Sequence, residues 1–540
     1  MIFGEMPVTD AEGAILAHSV RHASGLFRKG RKLSASDVSL LEASGVTSVF
    51  AARLEFGDVP EDEAALAVAR LTGGEGTTTQ APFTGRANLH AAARGLAIVD
   101  VERVRAVNRL HESLTVATVG PFTAVDEREM IATVKVIPFA VPRAVLEQAL
   151  TIIGDTPLIR VAVFRNKRVG LVITRLPQTK PSIVAKSEEA MRERIGALDG
   201  VLVAVRVVDH AVGPVAQAIA GLNASACDLI LVFGASAIVD RGDIIPAAVA
   251  AAGGAVLHLG MPVDPGNLMM FGRLGEIPVI GVPSCARSPK LNGFDWVLAR
   301  VMADVVVTPE DIMDMGAGGL LAEIPTRPSP REGKPKVQRA PRVAVLVLAA
   351  GQSSRMGTNK LLADVGGMPM IGKVVSSVQP AGTAGVVVVT GRDAGHVANV
   401  LHGMPVTLVH NPDFAHGLST SLRRGLEAVS PDADAVAICL GDMPMVDAGV
   451  IGKLVAAFSP AEHRSICVPV HRGEPGNPVL WGRQHFAALS SLGGDRGARQ
   501  LFDQLADEIV EVEMPDRSVL TDIDTSEALD DFRSGRFPSG

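Results

Sequence analysis

Residues 345–361 of this 540-residue chain read VLVLAAGQSSRMGTNKL, and this stretch decides how the last third of the sequence is interpreted. Its unbroken apolar start is typical of a parallel strand that is buried on both faces. The small residues 349–351 then let a ligand approach the main chain closely, and Arg355 and Lys360 add two cations suited to phosphate oxygens. The stretch predicts a strand followed by a polyphosphate-binding loop, although a Gly/Ser turn with solvated cations is an alternative for the segment on its own.

Carboxylates are predicted at the same edge of that sheet. Asp442 follows a second buried strand in AVAICLGDMPMV (435–446), and Asp522 and Asp524 lie in LTDIDTSEAL (520–529). A single acid before a helix is usually a cap, here of a helix that begins after Thr525 or Ser526. Paired with Asp442, however, such an acid fits Mg²⁺, which binds one or two carboxylates together with substrate phosphates.

Composition excludes several classes of protein. The chain has 47% hydrophobic and 20% charged residues, 55 Gly and no Tyr, which favours an aliphatic α/β core. A net charge of −7 gives no electrostatic footprint for nucleic acid or a membrane surface. No basic signal-peptide flank precedes an apolar segment, and no apolar run reaches spanning length. We therefore expect a cytoplasmic protein with neither a nucleic-acid nor a membrane partner.

Cysteine usage agrees with a reducing compartment. The four cysteines are far apart in the sequence and form no CxxC pair, which indicates small buried hydrophobic residues rather than disulfides. They are Cys227, Cys285, Cys439 and Cys467.

The chain divides at a segment rich in proline and basic residues. Residues 325–342, PTRPSPREGKPKVQRAPR, predict an extended linker. Residues 343–540 then alternate apolar runs with helix-like stretches, which predicts a mainly parallel sheet with its site at the carboxyl ends of the strands. Residues 151–324 repeat this pattern, including one apolar run at 161–174, and predict a second α/β domain. Residues 1–150 predict short strands and a helix that begins after Ser34 or Ser36.

The last domain resembles the molybdopterin nucleotidyltransferases, and most closely the molybdenum cofactor cytidylyltransferases. Six segments match in family order and cover nearly all of 343–540. They are LAAGQSSRMGTNK (348–360), NPDFAHGLSTSLRRGL (411–426), CLGDMPMV (439–446), RGEPGNPVLWGRQHF (472–486), GGDRGARQL (493–501) and DIDTSEAL (522–529).

This resemblance implies a Rossmann-like, GT-A-like nucleotidyltransferase fold. It implies that a phosphate oxygen of molybdopterin attacks the α-phosphorus of the nucleotide and that pyrophosphate leaves. Catalysis would fall to Arg355, Lys360 and Asp442, and Mg²⁺ would be held by Asp442 and Asp524. The residues implied to bind the nucleotide are Leu348, Ala349, Ala350, Gly351, Arg355, Lys360, Asn411, Gly417 and Ser421.

The preceding domain resembles the molybdopterin-binding domain of cofactor-biosynthesis proteins. The matching segments are FGASAIVDRGDIIP (233–246) and PVDPGNLMMFGRLGEIPVIGVPS (262–284), although GVPSCARSP (281–289) departs from the usual Pro-Gly-Asn-Pro loop. An ordinary capped helix is the alternative for the first segment. The implied molybdopterin-binding residues are Gly234, Ser236, Asp240, Asp243, Pro265 and Gly266. A weaker resemblance to molybdopterin-handling proteins covers the start of the chain.

Together these resemblances imply a CTP:molybdopterin cytidylyltransferase fused to a domain that binds its pterin substrate, with a molybdoenzyme or its maturation chaperone as a further partner. LAAG in place of the LAGG of guanosine-specific relatives favours CTP, because Ala350 adds a methyl group where a purine would need space. Two alternatives stay open. One is another nucleotidyltransferase or a glycosyltransferase on the same fold, and the other is a non-catalytic molybdopterin carrier.

Overall fold

The computed structural model describes residues 1–23, 25–224, 227–321, 339–351, 359–460, 463–494 and 497–534, without the side chains of Ala224 and Ser526. Arg355 and residues 325–338 of the predicted linker lie outside these ranges. Four units with separate apolar cores follow one another along the chain.

The first unit, residues 1–53, is a small three-stranded sheet with one helix. Its sheet has the order β1-β5-β2. The helix begins after Ser34, which forms a reciprocal capping box with Asp37. The elements are β1 (Ile2–Pro7), β2 (Ile15–Leu16), β3 (Val20–His22), β4 (Gly25–Phe27), α1 (Ala35–Ala43) and β5 (Ser48–Arg53).

The second unit covers residues 58–163 and consists of small antiparallel sheets packed on three helices. Its last strand pairs with β9, so the unit continues past residue 150, where the sequence placed a boundary. The elements are β6 (Asp58–Pro60), α2 (Glu61–Thr72), β7 (Thr77–Thr79), β8 (Arg86–Ala91), β9 (Gly95–Val99), α3 (Val101–Asn108), β10 (Leu114–Thr118), β11 (Thr123–Val125), β12 (Met130–Val136), β13 (Ala140–Pro142), α4 (Arg143–Ile153) and β14 (Ile159–Val163).

The third unit begins at Arg168, and the apolar run predicted at 161–174 is in fact two strands in two units. Its sheet has the order β16-β15-β17-β20-β19-β18, with the first four strands parallel and the last two pairings antiparallel. The elements are β15 (Arg168–Arg175), α5 (Pro181–Gly196), β16 (Val201–Asp209), α6 (Val212–Ala224), β17 (Leu229–Phe233), α7 (Ile244–Ala251), β18 (Ala255–Leu259), β19 (Met270–Leu274), β20 (Ile277–Val282), α8 (Gly293–Met302) and α9 (Pro309–Met313).

The fourth unit confirms the α/β alternation predicted after residue 342. Its sheet has the order β23-β22-β21-β24-β27-β25-β26, and β28 pairs with β25. The elements are β21 (Val343–Ala349), α10 (Met370–Val378), β22 (Val386–Thr390), α11 (Ala394–Val400), β23 (Thr407–His410), α12 (Leu418–Ala428), β24 (Ala435–Leu440), α13 (Ala448–Ala457), β25 (Ile466–His471), β26 (Glu474–Pro475), β27 (Val479–Gly482), α14 (Phe486–Ser490), β28 (Ile509–Glu513) and α15 (Ser526–Arg533).

Strand β21 is the centre of this last sheet. All seven of its residues are buried, because helices cover both faces of the sheet. It runs parallel to β22 on one side and to β24 on the other, so the loops after these three strands meet at one edge. That edge is where the sequence predicts the site.

Two further expectations concern cysteines and the membrane. Cys227, Cys439 and Cys467 are buried free thiols as expected, whereas Cys285 is exposed. Within the described parts of the chain, every helix is too short or too polar to cross a membrane.

Candidate active site

A lysine held between two carboxylates forms the centre of the candidate site. Lys360 Nζ donates to Asp442 Oδ2 and to Asp524 Oδ1, each at 2.5 Å. The Lys360 and Asp442 side chains are only 14% and 18% exposed, whereas that of Asp524 is 39% exposed. The structure thus brings together three of the residues predicted for catalysis and metal binding.

Backbone contacts hold these three residues at the sheet edge. Lys360 begins a short 3-10 helix, which Asn359 caps by accepting from the Leu361 amide. The Gly441 amide donates to Leu348 O, which ties the loop after β24 to the end of β21. The Ile523 amide donates to Asp442 O, so the segment before α15 lies against the same loop.

The charges of the cluster shift its pKa values in opposite ways. Burial alone would lower the pKa of Lys360, but the nearby Asp442 and Asp524 carboxylates raise it above its ordinary value. Lys360 therefore stays protonated at neutral pH. Burial, together with Asp524 and Asp442, raises the pKa of Asp522, which places a third carboxyl group beside this pair.

Asp442 fits a divalent cation. Its Oδ1 atom is buried and has no hydrogen-bond partner, which is costly for a carboxylate oxygen unless a ligand satisfies it. Among the described residues, no three His, Cys, Asp or Glu side chains form a metal-binding cluster. The unpaired Asp442 oxygen, with Asp524 beside the same lysine, nevertheless fits Mg²⁺, which binds one or two carboxylates and takes its other ligands from phosphates and water.

The end of β21 forms the floor beside this cluster. Leu348, Ala349 and Ala350 are buried, and Gly351 is exposed. Gly391, directly after β22, packs on Ala350: a Cβ atom at residue 391 would lie 2.6 Å from Ala350 O. The loops after β21 and β22 are therefore in backbone contact.

Asn411, Gly417 and Ser421 lie at the start of α12. Asn411 Nδ2 donates to Thr420 Oγ1 and to Ser421 Oγ, both at 2.9 Å, and Asn411 is fully buried. Gly417 adopts φ +105° immediately before the helix, in the range that favours glycine. These residues fix the helix start against the loop after β23, and their contact with a nucleotide stays a prediction.

A cavity of about 160 Å³ lies between the sheet and α12, next to the end of β21. Its wall is mostly aliphatic and aromatic, and its polar residues are Asn477 and Arg499. The indole N–H of Trp481, which also lines the cavity, is buried and has no hydrogen-bond partner. The cavity therefore suits a partly apolar group, with Asn477 and Arg499 as its polar contacts.

A second cluster lies at the carboxyl edge of the third unit's sheet. The His210 ring follows β16 and bridges two hydroxyl groups, with Nδ1 2.9 Å from Thr174 Oγ1 and Nε2 2.8 Å from Ser236 Oγ. Burial lowers the pKa of His210, against the opposing effect of Asp243. Three adjacent strands thus contribute one side chain each to this edge.

The other residues predicted to bind molybdopterin flank this cluster or lie farther along the chain. Asp243 Oδ2 accepts from the Val239 and Asp240 amides and so shapes the loop before α7. Gly234 O lies 3.4 Å from Arg287 Nη2. Pro265 and Gly266 lie against the start of α8 instead, where Pro265 O accepts from the Gly293 amide.

Sequence reasoning missed the parts of both sites that come from unremarkable segments. His210 and Arg287 carry no motif, and Arg287 lies in the loop where the sequence departs from the family pattern. Trp481 and Arg499 lie in two of the segments that match the family, but only the fold shows that they line the cavity. Gly391 also needed the fold to be placed. A glycine directly after a predicted parallel strand is the signal that could have identified Gly391.

Two family models match parts of this chain. Residues 345–509 match the MobA-like NTP transferase domain. Residues 5–53 match a domain of unknown function, DUF8806.

The curated relatives carry different names. The bifunctional protein GlmU of Clavibacter sepedonicus is 32% identical over 137 residues, which is 24% of this chain and 27% of that protein. The molybdenum cofactor cytidylyltransferase of Escherichia coli is 28% identical over 193 residues, or 35% of this chain and 92% of that protein. The nicotine blue oxidoreductase of Paenarthrobacter nicotinovorans is 27% identical over 197 residues, or 35% and 95%. The chain spans about a quarter of the length of the GlmU proteins that it matches. The prediction of a nucleotidyltransferase-type domain is confirmed at the level of the family model, because residues 345–509 match the MobA-like NTP transferase domain.

Proposed function

We propose that this protein is a molybdenum cofactor cytidylyltransferase, which transfers CMP from CTP to molybdopterin, with or without bound molybdenum, and releases pyrophosphate. The observation that carries the proposal is the Lys360–Asp442–Asp524 cluster, in which Asp442 keeps one buried oxygen unpaired. This arrangement supports binding of a metal-bound triphosphate at the edge of a parallel sheet.

In this reaction an oxygen of the molybdopterin phosphate forms a bond to the α-phosphorus of CTP. The bond from that phosphorus to the oxygen bridging the α- and β-phosphates breaks, and pyrophosphate leaves with the bonding electron pair. Bound Mg²⁺ would neutralise charge on the triphosphate. The step needs no oxidant, reductant or covalent intermediate.

The chain's own residues would orient the triphosphate and neutralise its charge. Asp442 and Asp524 would hold the metal, and the protonated Lys360 ammonium would place a positive charge beside the phosphates. Arg355 is proposed for the same phosphates and lies outside the described residues. Such preorganised charges are worth about 10²–10³ in rate for each donor.

The cavity next to β21 supports an aromatic acceptor substrate. Its size and its polar residues Asn477 and Arg499 suit a pterin ring, whose nitrogen and oxygen atoms accept hydrogen bonds. The third unit is proposed as a second pterin-binding element through Ser236 and the residues around it. Two linked sites raise the local concentration of the shared substrate.

The choice of a pyrimidine rests on the LAAG sequence at the end of β21. An alanine at position 350 leaves less room beside the main chain than a glycine would, which favours a small base. CTP is therefore the proposed donor.

Pyrophosphate release with CTP, GTP and ATP at equal concentrations tests this proposal, with molybdopterin as the acceptor substrate and Mg²⁺ present. We expect CTP to be used at least tenfold faster than the other two, since buried polar groups left unpaired by a wrong base cost orders of magnitude. Equal or faster turnover with GTP would contradict the cytidine assignment.

A parallel reaction uses a sugar 1-phosphate in place of molybdopterin, because of the partial similarity to GlmU. Faster release with the sugar phosphate would replace the pterin assignment by a sugar nucleotidyltransferase. Absence of release with every pair would favour the carrier alternative.

A further inference from the structure

The first unit contacts the fourth through an arginine that donates to main-chain oxygens. Arg28 Nη1 donates to Ile509 O at 2.6 Å, and Nη2 lies 3.5 Å from Ala506 O. Ile509 begins β28, which pairs in register with β25 at Ile466. The residues matched only to a domain of unknown function thus lie against the transferase sheet.

A second arginine of the first unit is rigidly held at the same surface. Arg31 donates to both carboxylate oxygens of Asp37, at 3.1 and 2.9 Å, and its guanidinium carbon lies 4.4 Å from the centre of the Phe27 ring. The same guanidinium faces Gly473, where a Cβ atom would lie 2.8 Å from Nη2. Gly473 also has φ +80°, so both its backbone conformation and this close approach favour glycine.

The turn at Gly473, which lies against Arg31, continues into the wall of the cavity. Gly473 lies in the turn between β25 and β26, and the two residues after Glu474 present their carbonyl groups to Arg499. Arg499 Nη2 donates to Pro475 O at 3.0 Å and to Gly476 O at 3.1 Å. Arg499 and Asn477 both line the cavity. An unbroken series of contacts therefore joins the first unit to the proposed pterin cavity.

We infer that residues 1–53 act as a positioning element, which holds the 472–477 segment in place for the acceptor substrate. No contact of Arg28 or Arg31 with the Lys360–Asp442–Asp524 cluster is seen among the described residues. Arg28 fixes the first unit against the start of β28, and Arg31 meets the turn at Gly473. The inference rests on the proposed function, because it assigns this effect to the side of the site that binds molybdopterin. It gives the first unit a role within the transferase reaction.

Arg28→Ala is the decisive variant, because both hydrogen bonds named for Arg28 go to carbonyl groups of the fourth unit, whereas Arg31 also holds Asp37. We expect the KM for molybdopterin to rise about three- to tenfold, as for loss of one solvent-exposed hydrogen bond. The kcat value and the KM for CTP should stay within about twofold of wild type. Arg21→Ala, an exposed arginine of the same unit, is the matched control and should leave all three constants unchanged.

Hydrogen exchange of the full-length protein provides a readout that does not depend on activity. In Arg28→Ala, the amides of residues 472–478 and 506–513 should exchange faster, while those of β21 should not. Unchanged exchange in these segments, the same increase in Arg21→Ala, or a fall in kcat together with both KM values unchanged would overturn the inference. If wild-type protein forms no product, the proposed function fails, and the exchange measurement alone decides whether the first unit orders this segment.

Discussion

The third and fourth units each place a candidate site at the carboxyl ends of parallel strands, but the residues at the two edges differ in charge and in hydrogen-bonding groups. At the fourth sheet, a buried lysine joins two carboxylates, and one carboxylate oxygen stays unpaired. At the third sheet, an imidazole joins two hydroxyl groups, and the nearby Asp243 turns an oxygen onto backbone amides. The carboxyl ends of parallel strands thus provide the place in both cases, and the residues there set the ligand.

This difference in residues implies that the two edges bind different ligands. An acidic pair with an unpaired oxygen suits a metal-bound triphosphate, whereas neutral donors and Arg287 suit a polar organic ligand. Variants at the two edges should therefore separate nucleotidyl transfer from pterin binding.

The largest effect is expected for Asp442→Asn. Loss of this negative charge should lower kcat/KM for CTP by about 10³-fold, because the metal and the triphosphate lose a shared partner. Pterin binding by the third unit should be unchanged. Asp507→Asn, an exposed acid in the same unit, serves as the control for nonspecific charge effects. Steady-state rates near the wild-type value at millimolar Mg²⁺ would refute the metal assignment.

The second-largest effect is expected at the carboxyl edge of the third unit's sheet. Removing the Ser236 hydroxyl and the His210 ring together should weaken molybdopterin binding by the full chain about tenfold, since two hydrogen-bonding groups are lost. The rate of transfer at saturating molybdopterin should persist. Equilibrium binding measured against Ser182→Ala, an exposed serine of α5, checks this. Equal affinities in the two variants would show that this edge does not bind the pterin.

Disrupting the contact between Ala350 and Gly391 should lower the unfolding free energy by an intermediate amount. Gly391→Ala places a Cβ atom 2.6 Å from Ala350 O, and such overpacking costs about 1–3 kcal/mol of unfolding free energy. The KM for CTP should rise as well, because the end of β21 must move. Gly395→Ala in α11 meets no atom within 4 Å and should be neutral or slightly stabilising in chemical unfolding. Equal stability of the two variants would argue against this contact.

The smallest effect is expected for Asp522→Asn. Burial and two neighbouring carboxylates raise the pKa of Asp522 in the folded state, so its ionised form opposes folding at neutral pH. Removing that charge should raise the Tm slightly at pH 7, and the gain should shrink as the pH falls through the raised pKa and both carboxyl forms become neutral. Exposure of Asp522 to solvent keeps the effect below about 1 kcal/mol. A Tm difference that grows towards acidic pH would reverse the assigned sign.

Much of the fourth unit could be predicted because its strands are continuous apolar runs that end in recognisable loops. Strand β24 (Ala435–Leu440), for example, is the buried strand predicted before Asp442. The rule that parallel strands end at one edge predicted Asp442 beside the loop after β21, and the family resemblance implied Asp524 as its partner. The second unit was not predicted, because its short antiparallel strands give weak periodicity, and strand β14 pairs with a strand about 60 residues earlier. His210 and Arg499 were missed for a related reason, since their roles come from tertiary contacts alone.

Direct identification of the product tests the central claim most closely. Purified full-length protein is incubated with CTP, molybdopterin and Mg²⁺, and the pterin fraction is analysed by mass spectrometry beside a reaction with Asp442→Asn. The account predicts molybdopterin enlarged by one cytidylyl group, together with an equal amount of pyrophosphate, in the wild-type reaction alone. Unmodified molybdopterin in the wild-type reaction, or the same product from Asp442→Asn at a comparable rate, would contradict it.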